Sequence, residues 1–178
     1  MTELAREYGN GLYSLAMEEQ QETEWLEQLK LLKQCFREQY DFIRLLGNMS
    51  LPKDERIAVL DAALKGQIHA YLLNFLKLLC ERGILTEFES CEAVYRDNYN
   101  HAHQILEATV TTGAPLTKRQ RDQLVEKLKS MTGKSISLQE KVDPSVLGGV
   151  VLEMDGKRYD NSVAHRLADM KRFIAGEA

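Results

Sequence analysis

The sequence predicts an α+β protein, with a six-helix bundle over residues 1–104 followed by a small α/β domain over residues 105–178. Three observations carry that reading. Apolar residues recur at helical spacing in six successive stretches joined by short links. The periodicity then fails in the polar segment Asn98–Gln104 (NYNHAHQ), which marks a domain boundary. Beyond it β-branched runs appear, the clearest being Val150-Val151-Leu152 ahead of Asp155-Gly156. Asp-Gly readily takes the positive φ angles of a type I′ hairpin, so this stretch reads as strand, tight turn and return strand.

The first helix spans residues 3–19, with Leu4, Tyr8, Leu12, Leu15 and Ala16 on one broad face. Gly9 and Gly11 interrupt it. Each costs about 0.5–1 kcal/mol of helix stability relative to alanine, so this helix needs something packed on it. Trp25, Leu29, Leu32 and Phe36 mark a second helix, and Tyr40 to Leu46 a short third one ending at Gly47. Ser50 is the expected N-cap of the fourth, with Pro52, Asp54 and Glu55 suited to its first turn. Ile57, Leu60 and Leu64 form its stripe, and Gly66 ends it. The fifth helix, Ile68 to Arg82, is closed by Gly83. The sixth begins near Thr86 and carries Phe88, Cys91, Tyr95 and Tyr99.

The fifth helix is unusual. Ten of the 13 positions from Ile68 to Cys80 are apolar, where a helix on a bundle surface needs about three in seven. It is either surrounded on all sides or it lines a groove left open for a partner helix.

In the C-terminal part, Ile105 to Thr112 has strand character and Thr117 can cap a helix containing Leu124, Leu128 and Met131 that ends at Gly133. Ser135 to Val142 reads as a second strand, the Asp155-Gly156 hairpin supplies two more, and Asp160 or Asn161 caps a last helix carrying Val163, Leu167, Met170 and Ile174.

Composition and motifs exclude several functions. With 44% apolar and 28% charged residues the chain has the makeup of an ordinary soluble protein, and no run of 18 apolar residues could span a membrane. The opening MTELAREYGNG has neither signal-peptide nor transit-peptide character. Cys35, Cys80 and Cys91 lack Cys-x-x-Cys spacing and each falls in a helical pattern, which predicts reduced, buried thiols in the cytoplasm. Residues 1–104 carry 11 Lys/Arg and 17 Asp/Glu, a balance of −6; residues 105–178 carry 12 and 10, a balance of +2. Neither part is basic enough to attract nucleic acid. Gly156-Lys157 is followed by Arg158, and Val151 stands where a phosphate-binding loop needs its first glycine, so no nucleotide cradle is present. His101-x-His103 has no nearby ligands to complete a metal site, and Cys91 and His165 have nothing to orient them for catalysis. The acidic cluster Glu18 to Glu27 and the basic edge Lys118-Arg119-x-Arg121 read as solvated faces. No cofactor, metal or catalytic apparatus is expected.

Asp143-Pro144-Ser145-x-x-Gly148-Gly149-Val150-Val151-Leu152, then Gly156-Lys157 and Asp160-x-Ser162-Val163-x-x-Arg166-Leu167, resembles the signature of the F-type ATP synthase delta subunit, the family of the mitochondrial oligomycin-sensitivity-conferring protein. Tyr8-Gly9-x-Gly11-Leu12-Tyr13 resembles the family's opening helix, with glycines where alanine is usual. Asn74-Phe75-Leu76-Lys77 resembles its fifth, and Ala108-x-Val110-Thr111 with Ala114-Pro115-Leu116-Thr117 also matches, so the resemblance covers nearly the whole chain.

The resemblance implies a non-catalytic stator. Its N-terminal bundle would grip the N-terminal helix of an alpha subunit on the catalytic head, in a groove between the first and fifth helices lined by Tyr8, Leu12, Tyr71, Asn74 and Leu78. Its C-terminal domain would hold the b subunits of the peripheral stalk through the region of Gly148, Gly149, Asp155, Gly156, Asp160 and Arg166. One copy per complex, at the cytoplasmic face of the cell membrane without insertion into it, is the expected setting. A peptide-binding regulatory adaptor of the same fold is the alternative.

Overall fold

Thr2 opens the first helix, its Oγ1 accepting a hydrogen bond of 3.2 Å from the Ala5 amide. The computed structural model describes residues 2–47, 50–146 and 148–162 and shows an α+β chain of two compact units, Met1–Tyr99 and Asn100–Ala178. The first unit holds α1 (Glu3–Glu18), α2 (Glu22–Glu38), α3 (Tyr40–Leu46), α4 (Lys53–Leu64), α5 (Ala70–Glu81), a 3-10 turn (Leu85–Glu87) and most of α6 (Phe88–Ala102). Their apolar stripes converge on one core that includes Leu12, Trp25, Leu29, Leu60, Leu76 and Tyr95.

Two contacts fix α1 against different neighbours. Tyr8 meets Phe75 of α5 edge-on, with ring centroids 6.5 Å apart. One residue on, Gly9 is buried against α6, where an added Cβ would stand 2.6 Å from Val94 Cβ and 2.8 Å from the Cys91 carbonyl oxygen. A Cβ on Gly11 would meet nothing within 4 Å. The two glycines therefore differ in kind. Gly9→Ala is expected to destabilise the protein by about 1–3 kcal/mol through overpacking. Gly11→Ala should stabilise it by about 0.5–1 kcal/mol through helix propensity alone. Denaturant melts of the two variants check this, and equal shifts would contradict it.

Two buried charges anchor the unit. Arg56 is 4% exposed, and its Nη1 donates to the Leu46 carbonyl at 3.1 Å and the Cys80 carbonyl at 2.8 Å. A cation thus sits at the carbonyl ends of both α3 and α5, where the helix dipoles favour it. The Glu92 carboxylate is fully buried, 2.5 Å from Lys33 Nζ and 3.4 Å from Arg96 Nη1.

The structure departs from expectation at three points. Ser50 does not cap α4: the cap position is Pro52 and the helix starts at Lys53. Proline keeps Leu51 out of the α region, so the helix cannot begin as early as a Ser50 cap requires. Cys35 is exposed, whereas Cys80 and Cys91 are buried and burial pushes the Cys91 thiol up to about 11. The polar segment at the expected boundary is helical as far as Ala102, because its asparagines find partners: Asn98 Nδ2 donates to Asn10 Oδ1 at 2.7 Å and Asn100 Nδ2 to Glu107 Oε1 at 2.9 Å.

The second unit is a four-stranded mixed sheet ordered β2-β1-β3-β4, from β1 (Ile105–Thr112), β2 (Ser135–Val142), β3 (Val151–Met154) and β4 (Lys157–Asp160). α7 (Lys118–Thr132) is the crossover between the parallel pair β1 and β2. It opens with a capping box in which Thr117 Oγ1 accepts from the Gln120 amide and Gln120 Oε1 accepts from the Thr117 amide. β3 pairs antiparallel to both β1 and β4. Among the described residues the apolar core of this unit is small: Ala108, Val110, Leu128 and Val151. The expected last helix lies outside the described residues.

Candidate functional site

The helical periods of α1 and α5 decide what the first unit shows on its surface. α5 buries Leu72, Leu73, Phe75, Leu76, Leu79 and Cys80 and exposes Tyr71, Asn74 and Leu78, so it is covered on one side only. Positions 71, 74 and 78 are three and four apart and share one face. On α1, Tyr8, Leu12 and Leu15 form the matching row. The two rows border an open groove of about 300 Å³ whose walls include Tyr8, Leu12, Tyr71, Asn74 and Leu78. The five residues singled out from the sequence thus line one cavity. Tyr71 and Leu78 are 39% and 38% exposed, so the groove keeps apolar side chains partly in water.

Glu7, Gly11, Leu15 and Phe75 complete the lining. Their signal was available, since 7, 11 and 15 form the adjacent row of α1 and Phe75 follows Asn74. Gly11 leaves the α1 backbone bare at the groove, and Glu7 is a carboxylate in a lining otherwise poor in charge.

Trp25 lies below this surface. It is fully buried, its Nε1 donates to Gln21 Oε1 at 3.2 Å, and its ring stacks at a tilt on His69 (4.9 Å) and Tyr71 (5.7 Å). His69 in turn caps α5, its Nδ1 accepting from the Tyr71 amide. Any movement of Tyr71 at the groove therefore changes the surroundings of the tryptophan.

The described C-terminal residues of interest shape the hairpin and the chain around it. Asp155 and Gly156 have φ of 52° and 69°, as a type I′ turn requires, and join β3 to β4. Gly148 and Gly149 have φ of 120° and 81°. Gly149 is also crowded, because an added Cβ would overlap the Asn161 carbonyl oxygen and lie 2.9 Å from Ser162 Cα. The Asp160 carboxylate accepts from the Ser162 amide at 3.0 Å. Arg166 lies outside the described residues. Beside the hairpin is a cavity of about 660 Å³ whose charged walls include Lys141, Asp143, Glu153, Arg158 and Asp160. Arg158 pairs there with Glu153 at 3.4 Å and Asp160 at 3.7 Å.

Among the described residues no group of His, Cys, Asp or Glu is placed to hold a metal ion, and no helix is long and apolar enough to cross a membrane. Among the described residues the first unit thus presents an open apolar groove between α1 and α5.

Comparison with known proteins agrees along the chain. Residues 4–174 match the family model described as the ATP synthase delta (OSCP) subunit. The chain is 29% identical over 171 residues to ATP synthase subunit delta of Clostridium kluyveri, covering 96% of this chain and 94% of the relative. It is 27% identical over 176 residues to subunit delta of Alkaliphilus oremlandii, covering 98% of each. In fold it is similar to a chain in the cryo-EM structure of the Toxoplasma gondii mitochondrial ATP synthase hexamer, with a TM-score of 0.72, 18% identity and 98% of each chain covered.

Proposed function

The chain belongs to the ATP synthase delta (OSCP) subunit family, a structural and non-catalytic subunit, and from that premise we propose that it ties the catalytic head to the peripheral stalk. The six helices of the first unit act as one bundle whose α1–α5 groove receives the N-terminal helix of an alpha subunit. The C-terminal unit holds the b subunits, at the cytoplasmic face of the cell membrane and in one copy per complex. A rotating central shaft drives chemistry in the head only if the head is kept from turning with it. The connection must therefore dissociate slowly, which a preformed helix groove favours by sparing the cost of ordering.

The observation that supports this reading most is the gathering of Tyr8, Leu12, Tyr71, Asn74 and Leu78 around one apolar groove. Titrating the protein with a peptide of its own alpha subunit N-terminus should change Trp25 emission and saturate at one to one, because Tyr71 links the tryptophan to the groove. Leu78→Asp should weaken binding at least about 100-fold, since an apolar contact is lost and a carboxylate is desolvated. Its helicity should stay near wild type because Leu78 is 38% exposed. Unaltered binding by Leu78→Asp, or no binding by the wild type, would remove the groove from this role.

A further inference from the structure

The sheet of the second unit has two unlike edges. β4 is four residues long, as protected edges commonly are. β2 is eight residues long, contains no proline or glycine, and pairs with β1 in unbroken register from Ser135 to Val142. Among the described residues it is paired on that side only.

The free side of β2 can be assigned. In a parallel pair the N–H and C=O of one residue point the same way, alternating along the strand. The Ser135 amide donates to the Gln104 carbonyl and the Asp143 amide to the Thr112 carbonyl, so odd-numbered residues face β1. Ile136, Leu138, Glu140 and Val142 therefore direct their backbone groups away from the sheet.

The charge around this edge is unlike that of the rest of the chain. Residues 118–142 carry seven Lys/Arg and three Asp/Glu, a balance of +4 in a chain of net charge −4. Lys134 just before β2, Lys141 near its end, and Lys118, Arg119, Lys127 and Lys129 on α7 are exposed. Of the three acids, Glu140 is already paired, with Arg121 at 2.5 Å. A second copy of the same edge would bring like charges together, which disfavours self-pairing.

The geometry points to β2 as a docking edge for an extended acidic segment of a partner protein, added to the sheet as a fifth strand. Backbone hydrogen bonds to Ile136, Leu138, Glu140 and Val142 would hold it, and the surrounding cations would select its sign. This goes beyond the stator reading and does not depend on it, since neither the groove nor the hairpin takes part.

The test uses the full chain and two labelled eight-residue peptides, one alternating Glu with Val and one alternating Lys with Val. Fluorescence anisotropy should show binding of the Glu peptide, weakened by salt, and at least about tenfold weaker binding of the Lys peptide. Amide exchange followed by NMR should slow at Ile136, Leu138, Glu140 and Val142 when the Glu peptide is present. Glu140→Pro removes one outward N–H while sparing the bonds to β1, and should lower affinity about tenfold. Glu140→Gln keeps the N–H and should bind at least as well as wild type. If Glu140→Pro disrupts the sheet, the wild-type exchange pattern decides instead. Equal binding of both peptides, no binding of the Glu peptide, or unchanged exchange at the four amides would overturn the assignment.

Discussion

Replacing Gly149 with valine is expected to unfold the sheet of the second unit and leave the first unit melting as before. Two costs coincide at this position. A β-branched residue would be forced to a φ of 81°, and its Cβ would overlap the Asn161 carbonyl oxygen. The overlap cannot be relieved locally, because the Asn161 amide donates to the Val150 carbonyl at 3.0 Å and continues the β3–β4 ladder. Strain and overpacking together come to about 3–5 kcal/mol. The unit has little with which to absorb that, since among the described residues only Ala108, Val110, Leu128 and Val151 form its buried apolar core. Gly156→Ala is the control: φ is again positive at 69°, but nothing lies within 4 Å of the new Cβ, so the cost should be near 1 kcal/mol. Amide exchange across residues 105–160 separates the outcomes. Retained protection of β1 and β3 in Gly149→Val would show that the close approach is not needed.

Deleting residues 143–178 should separate ATP hydrolysis from proton pumping if the proposed stator role holds. The deletion removes β3 and β4, two of the four strands, and with them the antiparallel partner of β1. The helical unit keeps its own core and its groove, so it should stay on the catalytic head. The b subunits should be lost from that head. Hydrolysis would continue in the head, while acidification of inverted membrane vesicles should fall to background. Measuring both in one preparation distinguishes loss of coupling from loss of the enzyme. Full pumping with b subunits still attached would show that this unit is not the stalk clamp.

The sequence by itself determined what local chemistry dictates. Asp155-Gly156 makes a tight hairpin because both residues tolerate positive φ, and Thr117 caps α7 through its own side chain. A period of 3.6 residues also aligns Tyr8 with Leu12, and Tyr71 with Asn74 and Leu78, but that these two rows face each other across a groove came from the family resemblance and not from the spacing.

Only the tertiary structure decided which residues of a given type are enclosed. Cys35 and Cys80 both sit in helical patterns, yet one is exposed and the other buried. Gly9 and Gly11 look alike in the sequence, but Val94, 85 positions away, crowds the first and nothing approaches the second. Arg56 carries no local sign of burial in the sequence, yet it sits buried between the carbonyl ends of α3 and α5. Glu92 is enclosed because Lys33 reaches it from α2. Burial of this kind depends on partners far along the chain that no local propensity encodes. The order β2-β1-β3-β4 is decided in the same way, because strand neighbours follow from which faces the core must cover rather than from the order of synthesis.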